Sequence, residues 1–224
     1  MTGCSIFSGS NNDGPAQVNS LVGSIERVYV DAELSRERVK IALQALQAIA
    51  DADFNEDAVT SYTLFVTAIE ESEKQADRLR DAVEPMKKSA GPVFAQWEDD
   101  LGQFTSESMK QRSQARLDAT RARYDAIVAA VDPAQEQYDA FNQALRDHAL
   151  FLANDFNPSA LKEIRAGVVE LTDQATGMDA GFDTTMLASR SYVQSAALPM
   201  SIRKIGATKQ EDAPERVEKV SGGR

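Results

Sequence analysis

Thirty-five carboxylates on a chain with helical periodicity raise one chemistry first: a di-iron centre, held by inward-facing Glu side chains and two Glu-x-x-His pairs from facing helices. The chain has a single histidine, His148, and neither Glu-x-x-His nor His-x-x-Glu occurs around it. With one His and one Cys, zinc sites, Cys-His nucleophiles and Ser-His-Asp triads lose their usual parts. No Gly-x-x-x-x-Gly-Lys loop and no Gly-x-Gly-x-x-Gly turn is present, so a standard phosphate cradle is unsupported. The expectation is a non-enzymatic protein with no catalytic residues, no metal and no cofactor. His148 falls on an apolar helical seam, where a partly buried imidazole with a hydrogen-bonded partner is expected.

Two other features carry chemistry of a different kind. Cys4 is the only cysteine and follows Thr2 and Gly3, the way a bacterial lipoprotein signal ends at its lipidated residue; it is a candidate for lipidation. A polar stretch from Ser8 to Gln17 follows, suited to a tether. Charge is segmented: residues 51–100 hold 13 acids against 5 bases, whereas residues 101–124 hold 2 acids against 5 bases. On an ideal helix Arg112, Arg116 and Arg123 share one edge of an apolar seam, with Lys110 and Arg121 on the other. The reading preferred from the pattern is that these cations pair with the acidic second helix; the other is contact with an anionic headgroup, polymer or partner. Net charge of −11 and pI near 4.7 argue against general nucleic-acid binding.

The elements that must position these residues are helices. Leu161, Ile164, Val168, Leu171, Ala175, Met178 and Phe182 repeat in steps of three and four, as a helix lying along other helices requires. A seam from Val18 to about Ala50 predicts a first helix, with Gly14 and Pro15 at its upstream limit. Asp53 and Glu56 resemble a capping box, opening a second helix through Tyr62, Phe65, Ile69, Ala76, Leu79 and Val83. Pro85 and the Gly91-Pro92 pair predict a turn or kink, and Asp132-Pro133 and Asn157-Pro158 predict further helix starts. Trp97 with Phe94, Leu101 and Phe104 is expected to plug one end of the core. The fold class is all-α: an elongated antiparallel helical bundle with coiled-coil-like packing, of helices about 30 residues and roughly 45 Å long. The domain reading is a flexible tether over 1–17, a bundle over 18–198 and a disordered tail over 199–224.

Several blocks also resemble a known family. Trp97-Glu98-Asp99-Asp100-Leu101, Ser108-Met109, Arg116-Leu117, Thr120-Arg121-Ala122-Arg123-Tyr124 and the run from Asp147 through Asn157 are similar to the bacterial family catalogued as domain of unknown function 2959, over roughly residues 24–185. The resemblance implies a helical, coiled-coil-like envelope protein, frequently a lipoprotein, with no assigned activity. It strengthens the lipidation reading of Cys4, and Ser5 then fits retention at the outer membrane. Pro85 and Gly91-Pro92 interrupt a region expected to be continuously helical in that family, and the tail after Tyr192 has no counterpart in it.

Together these readings lead to a lipid-anchored binding or scaffolding module on the periplasmic face of the outer membrane, with a protein partner or self-association through a spare apolar stripe. The alternative is a peripheral membrane-surface or anionic-polymer-binding protein that uses the Arg112, Arg116 and Arg123 edge. A chain that truly starts at Met1 would instead be cytoplasmic.

Overall fold

The computed structural model describes residues 13–52 and 56–196. Four long helices follow one another: α1 (Asp13–Asp51), α2 (Glu56–Leu101), α3 (Glu107–Asn154) and α4 (Pro158–Ala196). At 1.5 Å per residue they are about 58 to 72 Å long, well beyond the length expected from the pattern. Packing joins α1 to α2 and α4, and α3 to the same two, while α1 and α3 barely touch. That is an up-down-up-down ring of antiparallel neighbours around one core.

The core is the predicted set of seams. Leu21, Ile25, Val28, Ala32, Val39, Ala42, Leu46 and Ile49 are buried from α1, and Leu161, Ile164, Leu171, Met178 and Phe182 from α4. Three edge-on aromatic pairs tie the layers: Tyr62–Phe156, Phe94–Tyr124 and Tyr138–Phe182. Trp97 packs against this core, and its indole N–H donates to Ser113 Oγ at 2.9 Å.

The connections fall in other places than the prolines predict. Both Pro85 and Pro92 lie inside α2, and Pro133 lies inside α3. An interior proline costs about 3 kcal/mol through its missing N–H and its clash with the preceding turn. Against that, Val83, Met86, Val93, Phe94 and Leu101 stay buried only if α2 continues, and each such side chain contributes roughly 1.5–3 kcal/mol. All three prolines sit on the exposed side, where the carbonyl left without a donor reaches water. The phase of the seam predicts this outcome: Leu79, Val83, Met86, Ala90, Val93 and Leu101 keep their helical spacing across both prolines, as Ile127, Val131, Ala134 and Tyr138 do across Pro133.

The chain turns instead at Gly102–Ser106, at the end of the Phe94 to Phe104 stretch expected to plug the core. Gly102 N–H and Gln103 N–H bond back to Asp99 O and Asp100 O, closing α2. Ser106 opens α3 with extended backbone, its carbonyl accepting from Met109 and Lys110. Phe104, expected in the aromatic plug, is 39% exposed on this turn. The other predicted start holds: Asn157 Oδ1 accepts from Ser159 N and Ala160 N at 2.8 and 3.1 Å, with Pro158 in the first helical position. At the N-terminal side α1 begins at Asp13, ahead of the Val18 start. The capping box at Asp53, Cys4 with most of the tether, and the tail over 199–224 lie outside the described residues.

Candidate functional site

Electrostatics sets the register of α2 on α3. Glu73 pairs with Arg146, Arg80 with Asp139 at 2.9 Å, Lys87 with Asp132 at 2.7 Å and Glu98 with Arg121 at 2.7 Å. The first three recur every seven residues, so they lie along one line of the interface, and the sign of the charge on α2 switches along it. A slip by one turn would place Arg80 and Lys87 opposite the wrong neighbours. Arg121 also lies over the Phe94 ring, 5.2 Å from its centre.

Pairing of the basic segment with α2 is therefore confined to Arg121. Arg112 and Arg116 are exposed and have no carboxylate partner among the described residues, and Arg123 is half-buried with its guanidinium 3.4 Å from Ala119 O of its own helix. The reason lies in the helix lengths. Asp31 meets Gln75, so α1 begins opposite roughly Val93, and Gly181 meets Ala134, so α4 ends opposite about Ala119. Beyond those levels α2 and α3 extend for about 12 and 18 Å with no other described helix beside them. Arg112 and Arg116 sit on this overhang, and Glu98, near the same end of α2, is taken by Arg121.

Inside the body is a polar layer that the sequence reading missed. Ser72 Oγ lies 2.6 Å from Asn142 Oδ1 and 3.1 Å from Tyr138 Oη, and Tyr138 O–H donates to Ser72 O at 2.9 Å. Gln75 Nε2 reaches Asp31 O and Oδ1 on α1. Burial pushes the Tyr138 phenol up to about 12, so it is a neutral hydrogen-bonding group and no acid-base catalyst near neutral pH. Asn142 Nδ2 is buried without a partner among the described residues. Polar groups of this kind select one register of a bundle.

His148 is half-buried, as expected from its place on the seam, but no hydrogen-bond partner accompanies it among the described residues. Its ring lies on Gly167 of α4, where a Cβ would come within 2.2 Å of Cε1. The glycine makes room for the ring and brings no polar side chain to it. Burial lowers its pKa, and Asp147 and Glu170 oppose that shift. Among the described residues no three His, Cys, Asp or Glu side chains gather as a metal site would need.

One long cleft remains. Between α1 and α4 a groove of about 830 Å³ has Leu34, Val39, Leu43, Ala175 and Phe182 as its apolar lining. Glu33, Glu37, Lys40, Thr172 and Thr176 form its polar margins, and Arg36, paired with Asp179 and Asp183, closes one side. Beside it Val30, Leu34 and Ile41 are 50%, 44% and 37% exposed. Steps of four and seven put them on one face of α1, away from its buried seam. The signal was present in the sequence as apolar residues out of phase with the core; which helices would cover them was not.

No described helix is long and apolar enough to cross a membrane. Compared with known proteins, residues 7–196 match the family model described as protein of unknown function, DUF2959. No curated protein and no solved structure gives a significant match.

Proposed function

The chain belongs to the DUF2959 family of proteins of unknown function, and we propose that it is a non-enzymatic binding or scaffolding module, held at the bacterial envelope by a lipid on Cys4. The observation that carries the binding role is the second apolar face of α1, Val30, Leu34 and Ile41, alongside the open α1–α4 groove. A helix that already buries one stripe in its own core gains nothing from exposing another, and such a face beside a groove fits an amphipathic helix laid across it. That helix belongs to a partner protein or to a second copy of the chain. The periplasmic face of the outer membrane follows from lipidation at Cys4 with Ser5 behind it.

Photo-crosslinking in cells tests the binding role. A crosslinker at position 34 or 41 yields a discrete adduct that Val30→Asp suppresses, while a crosslinker at exposed Asp77 on α2 yields none. No adduct from either groove position would overturn the reading. For the anchor, Cys4→Ala in the complete gene should release the protein from the membrane fraction, and retention of that variant would remove the lipid from the account.

The unpaired Arg112 and Arg116 support a second reading, contact of the Arg112, Arg116 and Arg123 edge with an anionic surface or polymer. Salt-sensitive binding to anionic vesicles or polymers tests it; equal binding at low and high salt counts against it.

A further inference from the structure

We infer that the apex of the α2–α3 hairpin is a docking surface for an anionic phospholipid bilayer. For its orientation the inference rests on the membrane-anchored reading; its affinity is a separate matter. Three observations lead there. First, α1 begins at the end of the bundle from which the α2–α3 overhang projects. Eight residues separate Cys4 from Asp13, a reach of no more than roughly 30 Å, so a lipid on Cys4 brings that end, with the hairpin leading, to the bilayer.

Second, the charges of the overhang are sorted by side. On the helical wheel of α3, Met109, Arg112 and Arg116 fall within a sector of about 60°, and Glu107 and Asp118 lie roughly opposite. Further along α3 the same sector holds Ala134 and His148, which α4 covers at Gly181 and Gly167. Past Ala196 no described helix lies over the sector, and there it carries cations without ion partners among the described residues. Of the acids of the apex, Glu98 is neutralised by Arg121, and Glu107 and Asp118 keep their charge on the opposite side of α3, where Gln111 and Gln114 donate to them; Asp99 and Asp100 belong to α2, with Asp100 accepting from Gln96 and Gln103.

Third, the apex exposes Phe104 and Met109, the latter 49% exposed, beside Lys110 and Arg112. An aromatic ring and a flexible thioether flanked by cations suit the boundary between headgroups and acyl chains, the cations meeting lipid phosphates. A soluble polyanion would be recognised by the cations alone and would give Phe104 no role.

The full chain with Cys4→Ser, free of any lipid, separates this affinity from the anchor. Trp97, the only tryptophan, sits in the overhang, so its emission reports contact at the apex. Vesicles with about 30% phosphatidylglycerol in phosphatidylcholine should shift that emission at low salt, and roughly 0.5 M salt should abolish the shift. Arg112→Glu with Arg116→Glu should weaken binding at least about tenfold, and Phe104→Ser with Met109→Ser several-fold, with helical content unchanged because all four positions are exposed. Equal binding to pure phosphatidylcholine, or no loss with the two arginine reversals, overturns the inference. So does binding that polyphosphate reproduces and that Phe104→Ser leaves unchanged. The intact mass of the chain from native membranes reads lipidation independently: an acylated native chain whose Cys4→Ser form ignores vesicles overturns the apex surface and leaves the anchor, and the converse result removes the anchor alone.

Discussion

The α2–α3 seam and the α1–α4 seam are built from helices of the same kind and end differently. Along α2–α3, Glu73–Arg146, Arg80–Asp139 and Lys87–Asp132 close the surface of the interface at every second turn, and Ser72, Tyr138 and Asn142 lock its depth. Along α1–α4 the ion pairs gather at Arg36, while the groove beside it opens onto Leu34, Val39, Leu43 and Phe182. One seam spends its polar groups on its own register; the other leaves apolar surface uncovered. The difference sets a polar spine, closed along its surface by ion pairs, against a seam that keeps an open apolar groove.

The contrast breaks most severely at Phe182, which forms part of the groove wall, packs edge-on against Tyr138 and is almost fully buried. Phe182→Ala should cost about 3–5 kcal/mol in urea unfolding, because the cavity it leaves joins the groove to the polar layer. Ser72→Ala tests the spine itself. It strips Asn142 Oδ1 and Tyr138 of a buried partner and should cost about 1–3 kcal/mol, and Asn142→Leu on top of it should recover part of that loss. Removing the surface cations, Arg80→Ala, Lys87→Ala and Arg146→Ala together, should cost only about 0.2–1 kcal/mol per pair, since each is largely exposed, and that loss should vanish at high salt.

On the open side the expected change in stability is smaller still. Leu34→Asp should shift unfolding by no more than about 0.5 kcal/mol while suppressing the crosslinked adduct at position 41. A stability loss as large as that of Ser72→Ala would mean that the stripe belongs to the fold and would erase the contrast. His148 gives the finest probe of the α3–α4 contact. Its pKa is held below the ordinary 6.5 by burial, so the fold favours the neutral ring. The unfolded chain binds the proton more readily, and the stabilisation present above about pH 6.5 is lost as pH falls through the lower folded value. His148→Gln should flatten that part of the stability profile measured between about pH 7.5 and 5; an unchanged slope would mean that carboxylates alone set it.

The candidate surfaces were partly legible beforehand. Arg112 and Arg116 stood out as an edge, but pairing them with α2 assumed that every part of α3 has neighbours on both sides. Helix lengths decide that, and they depend on where the chain turns. Prolines misled because they report local backbone cost, whereas the seam phase through Met86, Ala90 and Val93 reports the burial that outweighs it. A spare apolar stripe was expected without residues attached to it, and Val30, Leu34 and Ile41 emerged as one only when the structure showed them exposed. The polar layer could not be foreseen, because Ser72 lies 66 and 70 residues from Tyr138 and Asn142 and each alone reads as ordinary helix surface or core.

Periodicity along the chain was enough for an all-α bundle, its seams and the Asn157-Pro158 start of α4, since those follow from spacing within a few turns and from local capping, whereas the family showed in particular blocks such as Thr120-Arg121-Ala122-Arg123-Tyr124. The number of helices, the register read from the ion pairs, the open groove and the overhang came from packing. Each depends on which residues distant in sequence share a level along the bundle axis, and short-range patterns carry no measure of that.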